Sequence, residues 1–169
     1  EPTPPLANVP FERPLEAPPR LDRVVGVGVV GYGYWGPNLV RNFSAMPSAR
    51  VVAVSDLSAD RLAAVKAHYP AVKTTTRYED LLRDPEIDAV VIATPVSSHF
   101  RLAMQALEAG KHVLVEKPMT TEIAEADEML KVSRETGMTI GAIFQRRYWP
   151  AALKAKATID AGKIGAPVL

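Results

Sequence analysis

Apolar and polar positions change in blocks along this chain, and the blocks read as strands and helices in turn. Val24 to Val30 is a short, β-rich apolar run that ends at Gly31 and predicts a buried strand. Arg50 to Ser55 predicts a second strand, Val72 to Thr76 a weaker third, His112 to Val115 a fifth and Thr139 to Phe144 a sixth. The fourth, Ile87 to Ala93, is nearly all apolar and reads as covered on both faces. Between the strands the apolar residues recur at helical spacing. Leu39, Val40 and Phe43 follow Pro37, which suits a first helical turn. Leu62, Val65 and Tyr69 follow Ser58, a good N-cap. Leu102, Ala103, Ala106 and Leu107 lie between a Ser97 or Ser98 cap and a Gly110 stop. Ile123, Ala126, Met129, Leu130 and Ser133 lie between a Thr120 or Thr121 cap and Gly137. Six strands alternating with helices predict an α/β fold, a doubly wound parallel sheet of Rossmann type. A last helix is expected over 149–161, with turns at Gly162 and Gly165. The apolar residues 166–169 read as the first strand of a second sheet.

Residues 1–22 break this pattern. They hold seven of the fifteen prolines, which remove backbone donors and fix φ. They read as an extended arm or interdomain linker, with a Pro-rich partner ligand as the alternative. The expected organisation is therefore an arm over 1–22, a nucleotide-binding domain over 23–145, and the start of a further domain over 146–169. No internal repeat is visible.

Composition narrows the function more than the fold. The 169 residues suffice for one domain with a sizeable core. The formal net charge is +1, from 20 basic and 19 acidic side chains, with no basic block. That balance gives no case for a nucleic-acid or membrane-surface partner. There are no cysteines, which excludes disulfides and Cys-ligated metal and fits a cytoplasmic location. No His/Asp/Glu cluster has metal-ligand spacing, so no metal is expected. His68 reads as a surface helix-end residue, His112 as structural and Trp149 as a packing residue.

Chemistry enters at Gly31-Tyr-Gly-Tyr-Trp-Gly36, a G-x-G-x-x-G motif that leaves the first strand and opens the first helix. Gly31 would allow the tight turn, Gly33 would let a pyrophosphate approach the backbone, and Gly36 would let helix and strand pack closely. Free N–H groups and the positive helix end then favour phosphate. Tyr34 and Trp35, within the loop, would cover the pyrophosphate or ribose. Asp56 lies 20 residues past Gly36 (56 − 36 = 20), at the tip of the second strand. A carboxylate there accepts from both ribose hydroxyls and repels a 2′-phosphate, which predicts NAD over NADP. Arg61, five residues on, reads as a solvated helix residue. A ligand-free glycine turn and a helix-start aspartate are the plainer alternatives.

Further along the chain, Ala93-Thr-Pro95 with His99, and Glu116-Lys-Pro118 after the fifth strand, complete an ordered set. With the glycine loop and Asp56, these motifs resemble the glucose–fructose oxidoreductase and inositol dehydrogenase family, from about Arg23 to Leu169. The resemblance implies that Thr94, Pro95 and His99 line the cofactor cleft. It implies that Glu116 lies near the nicotinamide ribose and that Lys117 is the catalytic residue facing the substrate hydroxyl. It makes Lys117–Pro118 a candidate cis peptide. Oxidising a carbinol removes the hydroxyl proton as well as a hydride. An ordinary lysine, with a pKa of about 10.4, is a poor base near neutrality. The role therefore anticipates burial of Lys117 and a positive nicotinamide nearby. An exposed Glu116–Lys117 ion pair is the alternative.

The substrate signal is divided. Gly33-Tyr-Trp-Gly-Pro-Asn-Leu-Val-Arg-Asn-Phe43 looks like the branch acting on nucleotide-linked sugars, such as uridine-diphosphate N-acetylglucosaminuronate. Gln145-Arg-Arg-Tyr-Trp-Pro150 looks more like relatives that oxidise free sugars, inositols or related polyols. Arg147 is the residue of that segment expected near nicotinamide or substrate. Family members carry a second, α+β domain with most substrate contacts and the usual oligomer interface. That domain is expected to be missing here after its first strand, so these residues alone should turn over little. The function expected is hydride transfer between a nicotinamide cofactor and a sugar, nucleotide-sugar or polyol hydroxyl. A non-catalytic NAD-binding regulatory module or fragment is the alternative.

Overall fold

A computed structural model describes residues 23–165. Six parallel strands form one sheet: β1 (Val25–Val30), β2 (Ala49–Ser55), β3 (Lys73–Thr75), β4 (Ala89–Ile92), β5 (His112–Glu116) and β6 (Ile140–Ile143). Their spatial order is β3-β2-β1-β4-β5-β6, so the chain reverses direction across the sheet between β1 and β4. Open α/β sheets bind ligands at such a switch point, outside the carboxyl ends of the strands. Val27, Val29 and Val30 of β1 and Val90 to Ile92 of β4 are buried, as strands covered on both faces must be.

The helices are α1 (Gly36–Ala45), α2 (Ala59–His68), α3 (Tyr78–Arg83), α4 (His99–Glu108), α5 (Ile123–Thr136) and α6 (Pro150–Asp160). Leu39 and Val40 of α1 and Leu62 and Val65 of α2 pack with Val27, Val29, Val51 and Val54 on one face. Leu81 of α3, Leu102 and Ala106 of α4 and Met129 of α5 pack with Val30, Val90 and Val113 on the other. The doubly wound expectation is met. The two faces bury 16 and 11 apolar side chains, and full burial of one is worth about 1.5–3 kcal/mol against the entropy of ordering the chain.

Several local expectations change. Helix α3 was not expected; its six residues, YEDLLR, are too short to display a helical period. Ser58 caps α2 as expected, its hydroxyl accepting from the Arg61 amide. Ser98 does not cap α4. A 3-10 turn over Val96–Ser98 intervenes, and the Ser98 hydroxyl bonds to the Thr94 hydroxyl and the Pro95 carbonyl instead. Neither Thr120 nor Thr121 caps α5, which starts after Glu122. Its buried residues are Met129 and Val132, whereas Ile123 is exposed. Gly137 ends that helix in the left-handed region, at φ 71°. Trp149 is exposed rather than packed in the core, with the Arg146 guanidinium 5.3 Å from its ring centre. The Pro-rich arm and the terminal strand expected over 166–169 lie outside the described residues.

Candidate nucleotide and substrate site

The carboxyl ends of β1, β2 and β4 open onto a cleft of about 870 Å³. Seven residues expected from the sequence line it: Gly31, Gly33, Tyr34, Trp35, Asp56, Thr94 and Pro95. The turn out of β1 makes its floor. Gly31 sits at φ 92°, and a Cβ there would come within 2.8 Å of the Ala93 carbonyl. At Gly36 a Cβ would fall 2.3 Å from the Gly31 oxygen, so the first turn of α1 can press onto the strand end only without a side chain. Gly33 differs. The nearest protein atom to a Cβ there is the Arg61 guanidinium, at 3.8 Å. Packing gives no reason for glycine at that position.

The same loop offers donors. Among the described residues, the amides of Gly33, Tyr34, Trp35 and Gly36 find no protein acceptor. They stand at the N-terminus of α1, where backbone donors and the helix dipole favour an anion. Tyr34 and Trp35 meet edge to face, 5.3 Å between ring centres, over this floor.

Asp56 is buried at the end of β2. Its Oδ2 accepts from the Tyr32 amide at 2.6 Å and its Oδ1 from the Ser58 amide at 2.8 Å. A carboxylate has about four acceptor sites; with these two amides and the Arg61 guanidinium on it, about one remains for a ribose hydroxyl. The Arg61 guanidinium reaches the same Oδ2 at 3.5 Å and lines the cleft. Arg61 is therefore part of the site rather than only a solvated helix residue. Arg77 and Arg101 also line the cleft and were missed in the sequence, where isolated arginines carry no motif. Tyr78 forms part of the wall. Burial pushes its hydroxyl well above the ordinary phenol range, and it donates to the Leu102 carbonyl at 2.8 Å.

The remaining expected residues lie around the cleft rather than in its lining. His99 is 1% exposed; its Nδ1 is 2.9 Å from the Pro118 carbonyl oxygen and its Nε2 2.8 Å from that of Thr94. Glu116, at the end of β5, is buried and accepts the Lys117 amide at 3.2 Å. No Glu116–Lys117 ion pair forms among the described residues. Lys117 itself is exposed, not buried as anticipated, and the Lys117–Pro118 peptide is cis. Arg147 lies in the 3-10 turn Gln145–Tyr148 after β6, and is exposed. His68 and His112 stay clear of the cleft: the first bonds the Ala64 carbonyl, the second accepts the Thr139 amide. No cluster of three metal-ligating side chains occurs among the described residues.

The profile of an oxidoreductase family with an NAD-binding Rossmann fold matches residues 25–144. The chain belongs to that family, the glucose–fructose oxidoreductase and inositol dehydrogenase group. Among its relatives is a scyllo-inositol 2-dehydrogenase (NAD(+)) of Bacillus subtilis, 39% identical over 145 residues, covering 86% of this chain and 41% of the relative. A scyllo-inositol dehydrogenase of Lactobacillus casei, solved with NAD(H) and scyllo-inositol, superposes with a TM-score of 0.78. It is 28% identical, covering 85% of this chain and 43% of that one. A 3-ketoreductase of Actinomadura kijaniata, solved with TDP-benzene and NADP, gives a TM-score of 0.77 at 28% identity, covering 85% and 46%. The chain thus spans under half the length of each. Among the described residues no helix is long and apolar enough to cross a membrane.

Proposed function

We propose that the protein to which this chain contributes moves a hydride between NAD and a hydroxyl-bearing carbon of a sugar or cyclic polyol. The observation that carries this is the cleft at the switch point. It has a glycine-lined floor with unsatisfied amides, a position at Gly33 that only a ligand needs empty, and the Asp56 carboxylate at its rim.

The Gly33–Gly36 amides would hold the pyrophosphate, and Asp56 the adenosine ribose. Thr94 and Pro95 form the wall that leads along the sheet towards β5. The nicotinamide, when bound, supplies the hydride acceptor. Lys117, exposed just past the end of β5, takes the hydroxyl proton as the hydride leaves and returns it in the reverse direction. Glu116 holds the Lys117 backbone amide, and so sets where that residue leaves the strand. We further read Arg147, on the turn after β6, as facing nicotinamide or substrate. Residues 23–145 form the nucleotide-binding unit in this reading.

NAD is favoured over NADP because the Asp56 carboxylate would repel a 2′-phosphate. Arg61 partly offsets that charge, so Arg61→Ala should sharpen the preference for NAD. Turnover across a panel of inositols, free sugars and nucleotide sugars tests the reaction. Lys117→Ala in the full polypeptide should lower kcat by roughly 10²–10⁴-fold with NAD affinity kept. Unchanged turnover would remove the lysine from the mechanism.

A further inference from the structure

We infer that His99 is a positioning residue, whose ring, set between the Thr94 and Pro118 carbonyls, ties the wall of the nucleotide cleft to the loop carrying Lys117. This rests on the reading of Lys117 as the group that handles the substrate proton.

The ring is enclosed, 1% exposed, at the start of α4. One nitrogen meets the carbonyl of Pro118, the residue after Lys117; the other meets the carbonyl of Thr94, which lines the cleft. Both contacts are short, 2.9 and 2.8 Å, and both partners are acceptors only. The ring therefore stands between the cleft wall and the residue after Lys117, within hydrogen-bonding distance of both.

The segment is also held by the β5–β6 ladder, which runs to Glu116, and by Met119, packed against the core. Besides His99, the side chain from outside residues 116–122 that hydrogen-bonds to positions 117–121 among the described residues is Glu125, which accepts from the Thr121 hydroxyl at 3.5 Å. The Glu116 and Thr120 bonds are internal to the segment. The His99 imidazole is the side chain that links the residue after Lys117 to the nucleotide wall. A reacting group displaced by about 1 Å can lose on the order of 100-fold in rate, so the brace belongs to kcat rather than to nucleotide affinity.

Two measurements on the full polypeptide test this. His99→Gln can meet only one of the two carbonyls, and should lower kcat about 10–100-fold while NAD affinity changes by less than about threefold. In His99→Gly, added imidazole should restore kcat in a saturable manner, which a purely structural role would not produce. Lys117→Ala run in parallel separates the two readings. If it abolishes turnover while folded His99→Gln keeps the wild-type kcat, the brace falls and the lysine reading stands. If Lys117→Ala leaves turnover intact, the lysine reading falls and the brace falls with it.

Discussion

A missing side chain matters for different reasons at each glycine of the cofactor loop. Gly31→Ala forces a Cβ into a left-handed backbone and against the Ala93 carbonyl, and Gly36→Ala forces one against the Gly31 oxygen. Each should cost about 1–3 kcal/mol in chemical denaturation, before any ligand is considered. Asp56 combines structure and binding in a similar way. Asp56→Ala strips the Tyr32 and Ser58 amides of their acceptor, and should cost about 1–3 kcal/mol in addition to weakening NAD. The motif and the strand-tip acid were legible because their spacing is local. Arg61 was not, since its partner is reached only when α2 folds back over the end of β2. His99 was legible as a motif residue, but its burial and its two carbonyl partners, five and nineteen residues away, were not.

At the scale of elements, the strands were legible almost throughout, because burial on both faces leaves continuous apolar runs. Their ends moved by one or two residues, as at β4, where Ile87, Asp88 and Ala93 fall outside the ladder. Helix caps were less legible. Ser98 has the residue type of a cap, yet tertiary geometry gives its hydroxyl to Thr94 and Pro95. Helix α3 carries its signal in packing instead: Leu81 is fully buried, and Tyr78 donates to the Leu102 carbonyl of α4. Tyr78→Phe removes that bond while filling the same space. It should lower stability by about 1 kcal/mol and Tm by roughly 2–4 °C, with NAD binding retained.

Over the whole molecule, the ion pairs that join the strands lie at the end of the sheet opposite the cleft; Arg61–Asp56, at the cleft, is the exception. Arg23–Asp88, Lys73–Asp84, Lys73–Glu86 and Arg50–Glu86 join the amino ends of the strands, away from the cleft. The Lys73 ammonium holds the Asp84 carboxyl below its usual range. Burial works against ionisation of Asp88, but the Gly26 amide and Arg23 outweigh it and hold that carboxyl low too. Both folded values lie below the unfolded ones, so their stabilisation is present above about pH 4 and is lost as pH falls through the folded values. Acid titration of the unfolding free energy should show that loss below about pH 4, and Asp84→Asn with Asp88→Asn should flatten it. The most direct test of a dinucleotide held by the β1–α1 loop is calorimetric titration of NAD into the wild-type chain and Gly33→Val. Because a Cβ at Gly33 meets only the Arg61 guanidinium, in ordinary contact at 3.8 Å, the variant should melt with the wild type yet bind NAD at least about tenfold more weakly. Equal affinity in the two proteins, or no binding by the folded wild type, would contradict the account.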